Sequence, residues 1–269
     1  MKNILLLTDF SDSATSAADY AVPWANALGC DITLYHVYQV YSTTGSFISV
    51  ERYMVNDIEN DMGKALRHVR AVLSPGLNAT AKYAKGEIIP TLAKIAARKE
   101  YDLVVMGNHG SGNRTSIFWG TTTSGVAHKT SANLLAVPDN YQFNNLKNIV
   151  LIVDDEDMTH SQLFQPLVGI ASAFKAKIWV YHDNPETEIS TAQLKQALGD
   201  LTFEYYAERK PEESKNIEGF LQEKRADLVC MLRLQTGFWQ RFFQSSLSVT
   251  VDQLITTPVP LLVLKDKVN

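Results

Sequence analysis

Short apolar runs alternate with longer stretches of helical spacing along the first half of the chain. Residues 4–7 are a continuous apolar run, too short for a helix, which predicts a buried parallel strand. Residues 11–28 place alanine, tryptophan and leucine on one helical face, and Gly29 is suited to end that helix. Pro23 lies inside this stretch and predicts a kink or a break, since its ring removes one backbone hydrogen bond.

The same alternation continues to residue 137. Further strands are predicted at residues 32–38, 79–84, 103–106 and 134–137, and further helices at 49–73, 88–97 and 122–130. Strands that alternate with helices imply right-handed crossovers and a mostly parallel sheet with helices on both faces. The pattern therefore predicts an α/β domain of five strands.

The second half of the chain repeats the first. Residues 147–154 share spaced identities with residues 2–9, an Ile-x-x-Tyr-His pattern occurs at both 32–36 and 178–182, and residues 102–106 align with 227–231. We therefore predict a tandem duplication with domains at residues 1–143 and 144–269, paired edge to edge so that both closing strands are covered. Only 44 residues separate His182 from Asp227, against 65 between His36 and Asp102, and residues 40–73 are the expected source of the difference.

Composition narrows the classes of partner. The chain has 25 basic and 29 acidic residues, a formal net charge of -4, and no basic stripe interleaved with aromatic residues, which argues against nucleic acid. Cys30 and Cys230 lack metal-binding or redox spacing and are predicted to be buried, reduced thiols. The apolar stretch near the N-terminus is too short for a signal sequence or a membrane span, so we expect a cytoplasmic protein with no membrane association.

Three spaced glycines directly follow the fourth predicted strand. Gly107, Gly110 and Gly120 stand between that strand and the next predicted helix. Ligands of parallel sheets bind beyond the carboxyl ends of the strands. Gly107 is expected to turn the chain sharply off the strand, and Gly110 to let the backbone approach a ligand.

The start of the helix after these glycines suits phosphate. Residues 120–123 offer free amides, hydroxyls and the positive end of a helix dipole. Arg114 either pairs with a phosphate or is solvated, and Asp9 either binds ribose or adenine or caps the first helix. The alternative interpretation of the whole segment is a flexible surface loop followed by a helix cap.

Four short motifs of this chain resemble those of the universal stress protein family in its tandem form. They are Thr8-Asp9-Phe10-Ser11, Met106-Gly107-Asn108-His109-Gly110, Gly120-Thr121 and the closing segment 134–138. The resemblance implies a five-stranded α/β domain that binds ATP across the carboxyl edge of its sheet, with Asp9 and the backbone near Val37 at the adenosine end. AMP and ADP are alternatives, and Mg²⁺ is implied only as a companion of the nucleotide.

The residues expected around the nucleotide, with Arg114 added from the loop, are Thr8, Asp9, Phe10, Val37, Met106, Gly107, Asn108, His109, Gly110, Arg114, Gly120, Thr121, Thr122 and Thr123. For His109, backbone contacts are expected rather than ring contacts. No catalytic residue and no metal ligand is predicted.

The second half lacks these features. Residues 102–106 and 227–231 align at an offset of 125 residues. At the same offset, Leu232 and Gln235 replace Gly107 and Gly110, so side chains occupy the space that a ligand needs. An aromatic cluster at residues 238–243 and an acidic turn at 154–157 add further differences. We therefore interpret the second domain as a degenerate copy that pairs with the first and presents a surface to an unidentified protein partner, with association of two chains left open.

No catalytic triad, paired carboxylates or metal-ligand spacing stands near the predicted site. The sequence is interpreted as a regulatory, ATP-binding stress-response protein with one nucleotide per chain and slow or no hydrolysis, and hence not an enzyme. The alternatives are a weak ATPase and a nucleotide-free interaction scaffold.

Overall fold

The structure is a computed structural model that describes residues 1–40, 47–98, 100–108, 126, 130, 132–153, 157–182, 188–207, 217–233 and 258–265. It divides into two compact units. Of the described residues, the first unit contains 1–108, 126, 130, 132 and Ala136–Gln142, and the second contains Asn133–Leu135 and 143–265.

The chain up to Val137 forms five strands and three described helices. The strands are β1 (Asn3–Leu7), β2 (Asp31–Tyr38), β3 (Ala79–Lys85), β4 (Leu103–Gly107) and β5 (Asn133–Val137), and the helices are α1 (Asp12–Leu28), α2 (Phe47–Val72) and α3 (Ile88–Ala97). Each matches a predicted element to within a few residues. The helix predicted at residues 122–130 lies mostly outside the described residues, although Val126 is helical and buried.

The first sheet has the order β3-β2-β1-β4, with β5 next to β4. Strand β1 pairs in parallel with β2 up to Leu7↔Tyr35 and with β4 up to Leu6↔Val105, and β2 pairs in parallel with β3. The chain leaves β1 toward β2 and β3 and then returns to its other side at β4. The strand order therefore reverses between β1 and β4, where ligands of open parallel sheets bind.

Helix α1 begins and ends as the sequence predicts. Ser11 accepts a hydrogen bond on its side-chain oxygen from the Ala14 N–H at 3.2 Å, and Gly29 ends the helix at φ 65°. The predicted break at Pro23 is wrong, because the helix is continuous from Asp12 to Leu28. Val22 and Trp24, the sequence neighbours of the proline, are buried, so tertiary packing stabilises this part of the helix despite one missing backbone hydrogen bond.

The second unit repeats this topology. Its strands are β6 (Asn148–Val153), β7 (Lys177–His182), β8 (Phe203–Ala207), β9 (Leu228–Arg233) and β10 (Leu261–Lys265). Its helices are α4 (Gln165–Phe174), α5 (Thr191–Leu198) and α6 (Ile217–Glu223), preceded by a 3-10 helix at Asp157–Phe164. The order β10-β9-β6-β7-β8 corresponds strand for strand to the first sheet, and its pairs are parallel. The α/β fold with mostly parallel strands is thus confirmed.

The second half is shorter mainly in one helix. Helix α2 has 26 residues, whereas α5, at the same place in the topology, has 8. Both cysteines are buried, free thiols, as predicted. None of the described helices is long and apolar enough to cross a membrane.

Candidate functional site

The candidate site lies at the carboxyl ends of β1 and β4. Because these strands are parallel neighbours, the turn after Leu7 and the segment after Gly107 meet at the same edge of the sheet. The strands end in opposite environments: Met106 and Gly107 are buried, while Asp9 is exposed. A carboxylate is therefore presented to solvent at the point where the strand order reverses.

Hydrogen bonds within the β1–α1 turn fix the position of Asp9. The Ser11 N–H and hydroxyl both donate to Asp9 Oδ1, at 3.1 and 2.5 Å, and the Phe10 N–H donates to Thr8 Oγ1 at 3.1 Å. Phe10 has φ 64°, in the left-handed region that side chains other than glycine rarely adopt. Asp9 thus does not cap α1, which is the role of Ser11, and its carboxylate is held at the edge of the sheet.

The ring of Phe10 lies against the end of β2. Its centroid is 4.6 Å from that of His36, whose Nδ1 is 2.8 Å from the Thr8 carbonyl oxygen. Since the carbonyl can only accept, Nδ1 donates in this contact. Val37, the next residue of β2, is half-buried. The structure therefore brings Thr8, Phe10 and the end of β2 together.

Gly107 lies where β4 and the first turn of α1 come into close contact. Its φ is not in the left-handed region, and it is the last residue of β4. The sharp turn predicted after it falls on residues beyond Asn108 that lie outside the described part of the chain. A Cβ atom added here would lie 2.2 Å from Ser13 Oγ and 2.9 Å from the Ser13 carbonyl oxygen. The glycine allows the first turn of α1 to pack directly against the end of β4.

Asn108 continues the strand by one hydrogen bond. Its N–H donates to the Val137 carbonyl oxygen at 2.9 Å, and only 8% of the residue is exposed. Seven predicted site residues lie outside the described residues, namely His109, Gly110, Arg114, Gly120, Thr121, Thr122 and Thr123. The structure thus describes the β1 and β2 side of the candidate site and the end of β4.

A crevice between α1 and α2 adjoins the same turn and was not predicted. It has a volume of about 330 Å³, and Thr8 and Phe10 line it together with residues of both helices. The two helices are joined by a hydrogen bond between exposed side chains, with His68 Nε2 on α2 lying 2.6 Å from Asp19 Oδ1 on α1. No sequence signal could have found this crevice, because it depends on how two distant amphipathic helices pack.

Potential metal ligands do not converge in the described part of the chain: no group of three or more histidine, cysteine, aspartate or glutamate residues lies close enough to hold an ion.

The two repeated histidines, His36 and His182, both have hydrogen-bonding neighbours. His182 is fully buried, with Nδ1 2.8 Å from the Tyr205 hydroxyl.

The corresponding place in the second unit is filled by a side chain. Leu232, which replaces Gly107, is fully buried within β9 and is paired with Leu264 of β10. Gln235, the acidic residues 154–156 and the aromatic cluster at 238–243 lie outside the described residues. At the position of Gly107, where the first unit has no side chain, the second unit therefore carries a leucine side chain.

Comparison with known structures shows similar folds at low sequence identity. A universal stress protein from Archaeoglobus fulgidus DSM 4304 matches with TM-score 0.73 and 17% identity, covering 98% of this chain and 96% of that one. A functionally unknown protein from Pseudomonas aeruginosa PAO1 matches with TM-score 0.60 and 14% identity over 99% and 93% of the two chains. A putative universal stress protein from Pseudomonas aeruginosa UCBPP-PA14 gives TM-score 0.60 and 14% identity over 99% and 94%.

No curated protein sequence matches this chain. The sequence model of the universal stress protein family matches residues 1–138, slightly more than half of the 269 residues. This match spans the strands and the turn that form the candidate site. The chain belongs to the universal stress protein family.

Proposed function

We propose that this protein is a regulatory stress-response protein that binds one ATP molecule per chain in its N-terminal domain, with slow or no hydrolysis. One observation carries the proposal: an exposed, hydrogen-bonded Asp9 and the side-chain-free Gly107 end adjacent parallel strands where the strand order reverses. The family membership supports the same class of ligand.

The proposed roles follow from what each group can offer. Asp9 would accept hydrogen bonds from ribose hydroxyls or the adenine amino group, because its carboxylate is an acceptor only. The backbone at Val37 would contact the adenosine end. Residues 107–110 and 120–123 would surround the ribose and phosphates, with Mg²⁺ present only if it accompanies the nucleotide.

The absence of turnover is also part of the proposal. His36 donates through Nδ1 to the Thr8 carbonyl oxygen, and its ring packs against Phe10 at an interplanar angle of 31°, which suits a structural role better than proton transfer. We expect bound nucleotide to bias the conformation or partner choice of the protein.

The second domain is proposed to be a degenerate universal stress protein domain that does not bind nucleotide. The support is Leu232, whose buried side chain stands where Gly107 leaves room in the first unit. Its proposed roles are pairing with the first domain and contact with another protein.

Titration calorimetry with ATP tests the proposal on the full chain. Wild-type protein should bind one ATP per chain, and Gly110→Val should abolish the binding while circular dichroism shows an unchanged fold. Gly169→Val is the matched control, because a Cβ at Gly169 meets no atom within 4 Å and the residue lies in the other unit. Unchanged ATP affinity in Gly110→Val would refute the site.

Stoichiometry and product release distinguish the alternatives. Gln235→Gly should still bind one ATP, because Leu232 remains, and a value of two would contradict the degenerate second domain. Multiple-turnover phosphate release that depends on Asp9 would favour a weak ATPase. If the wild-type chain binds no adenine nucleotide, the nucleotide-free interaction scaffold is the remaining alternative.

A further inference from the structure

A second cavity lies on the α3 side of the first sheet, and its lining contains none of the residues predicted to surround the nucleotide. It has a volume of about 310 Å³, within the range of small-molecule sites. Its lining includes Tyr35, Lys82, Ile95, Arg98, Glu100 and Tyr101. Residues 98–101 precede β4, whereas Tyr35 is the register partner of Leu7, the last residue of β1, and its carbonyl oxygen accepts a hydrogen bond from the Thr8 N–H at 3.0 Å. The cavity therefore extends from the segment before β4 to the strand next to the β1–α1 turn.

Lys82 lies on the face of the sheet that carries the cavity, because side chains alternate between the two faces along a strand. Tyr35 and Lys82 are register partners on β2 and β3, so their side chains point to the same side of the sheet. Tyr83 borders the cavity as well, but its hydroxyl donates to Glu59 on α2, on the other face of the sheet. Lys85 also lies on that other face, where its Nζ is 2.9 Å from Glu51 Oε1 on α2. Lys82 and Lys85 are thus cations of one strand on opposite faces.

The cavity gathers hydrogen-bond donors. Arg98 and Lys82 contribute charged donors, and Tyr35 and Tyr101 contribute hydroxyls, against the single carboxylate of Glu100. Neither the Lys82 ammonium nor the Arg98 guanidinium forms an ion pair with any residue in the described ranges. The lining therefore has an excess of positive charge and of donors.

The pKa of the Tyr35 hydroxyl depends on the other groups of the lining. Burial raises the pKa of its hydroxyl, the Tyr101 hydroxyl raises it further, and Arg98 and Lys82 act in the opposite direction. With a raised pKa the phenol stays protonated at neutral pH and remains a donor. The side chain of Ile95 and the tyrosine rings supply an apolar wall beside the donors.

We propose that this cavity is a binding site for a small aromatic molecule that carries an oxyanion, either a phosphoryl or a carboxylate group. The planar guanidinium of Arg98 is suited to bidentate contact with such an oxyanion, and Lys82 supplies a second charge. The aromatic ring of the ligand packs against Ile95 and the tyrosines. The inference does not rest on the function proposed above.

Nuclear magnetic resonance titration of the isotope-labelled full chain tests the proposal, because it reports the binding position. Phenyl phosphate should shift the backbone amides of Lys82, Arg98 and Tyr101 in a saturable manner, and it should bind more tightly than inorganic phosphate, which lacks the ring. Benzoate distinguishes a carboxylate ligand from a phosphoryl ligand, and saturable shifts from either support the site. Shifts that are absent here, or that occur only around Asp9 and Gly107, would overturn it.

Charge variants test the specificity of the contact. Lys82→Gln and Arg98→Gln should each weaken phenyl phosphate binding by about tenfold, the effect of one charge-assisted hydrogen bond. Lys85→Gln is the matched control, since it removes the same charge from the same strand on the other face, and it should leave the affinity unchanged. Equal weakening by Lys82→Gln and Lys85→Gln would show a general charge effect and overturn the proposal, whereas ATP binding should be unaffected by all three.

Discussion

Gly107→Ala would perturb the contact between the end of β4 and the start of α1. The added methyl group would lie 2.2 Å from Ser13 Oγ, 2.9 Å from the Ser13 carbonyl oxygen and 3.0 Å from its carbonyl carbon. Rotation of the Ser13 side chain can remove the first of these overlaps. The other two involve the backbone of α1, so they are relieved only if the helix moves away from the strand.

The expected loss of stability is at the upper end of the range for overpacking. Such substitutions cost about 1–3 kcal/mol, and we expect about 3 kcal/mol because two of the three short contacts are to backbone. For a protein of this size, that loss lowers Tm by roughly 6–12 °C. The assay is thermal unfolding followed by circular dichroism, with urea unfolding at 25 °C as an independent measure.

A double-mutant cycle with Ser13→Ala isolates the contact. Ser13 Oγ is buried and makes no hydrogen bond within the described part of the chain, so Ser13→Ala alone should be neutral or stabilising by up to about 1 kcal/mol. In the Ser13→Ala background, Gly107→Ala should cost about 1 kcal/mol less, because the contact with Oγ has been removed. A Gly107→Ala protein as stable as the wild type, or a coupling energy of zero, would refute the reasoning.

Two further predictions concern Phe10 and the buried thiols. Phe10→Gly should be about 1 kcal/mol more stable to urea than Phe10→Ala, because both lose the ring contact with His36 and only glycine removes the cost of φ 64°; an alanine variant of equal or greater stability would contradict this. Burial raises the pKa of the Cys30 thiol, and Cys230 is also buried, so Ellman's reagent at pH 8 should detect no thiol in native protein and two per chain in guanidinium. One thiol that reacts in native buffer would show that the core around it opens.

The pattern of the sequence predicts most of the regular structure because burial and capping are local signals. The apolar run before Thr8 is a strand buried on both faces, and Ser11 and Gly29 mark the two ends of α1. Pro23 is the exception, since its effect depends on tertiary packing that the local pattern does not contain.

The geometry of the site is predictable only in outline. The parallel topology brings the ends of β1 and β4 to one edge, and this follows from the alternation of strands and helices. The need for Gly107 does not follow, because the atom that excludes a Cβ belongs to Ser13, on another element. The left-handed φ of Phe10 and the crevice between α1 and α2 are likewise set by packing between distant segments.

The repeated Tyr-His pair shows how one sequence pattern can serve two purposes. In the first unit, Tyr35 faces the donor-lined cavity, and His36 is half-exposed beside Phe10 at the open end of the sheet. In the second unit, Tyr181 and His182 are fully buried, and Tyr181 stacks on Tyr206 at a centroid distance of 5.7 Å. The buried pair is part of an aromatic core, and it offers no solvent-accessible surface to a small ligand. The same two residue types are partly accessible to solvent in one unit and fully buried in the other. The difference therefore arises from the elements that pack over them. For this reason we expect small-molecule binding in the first unit alone.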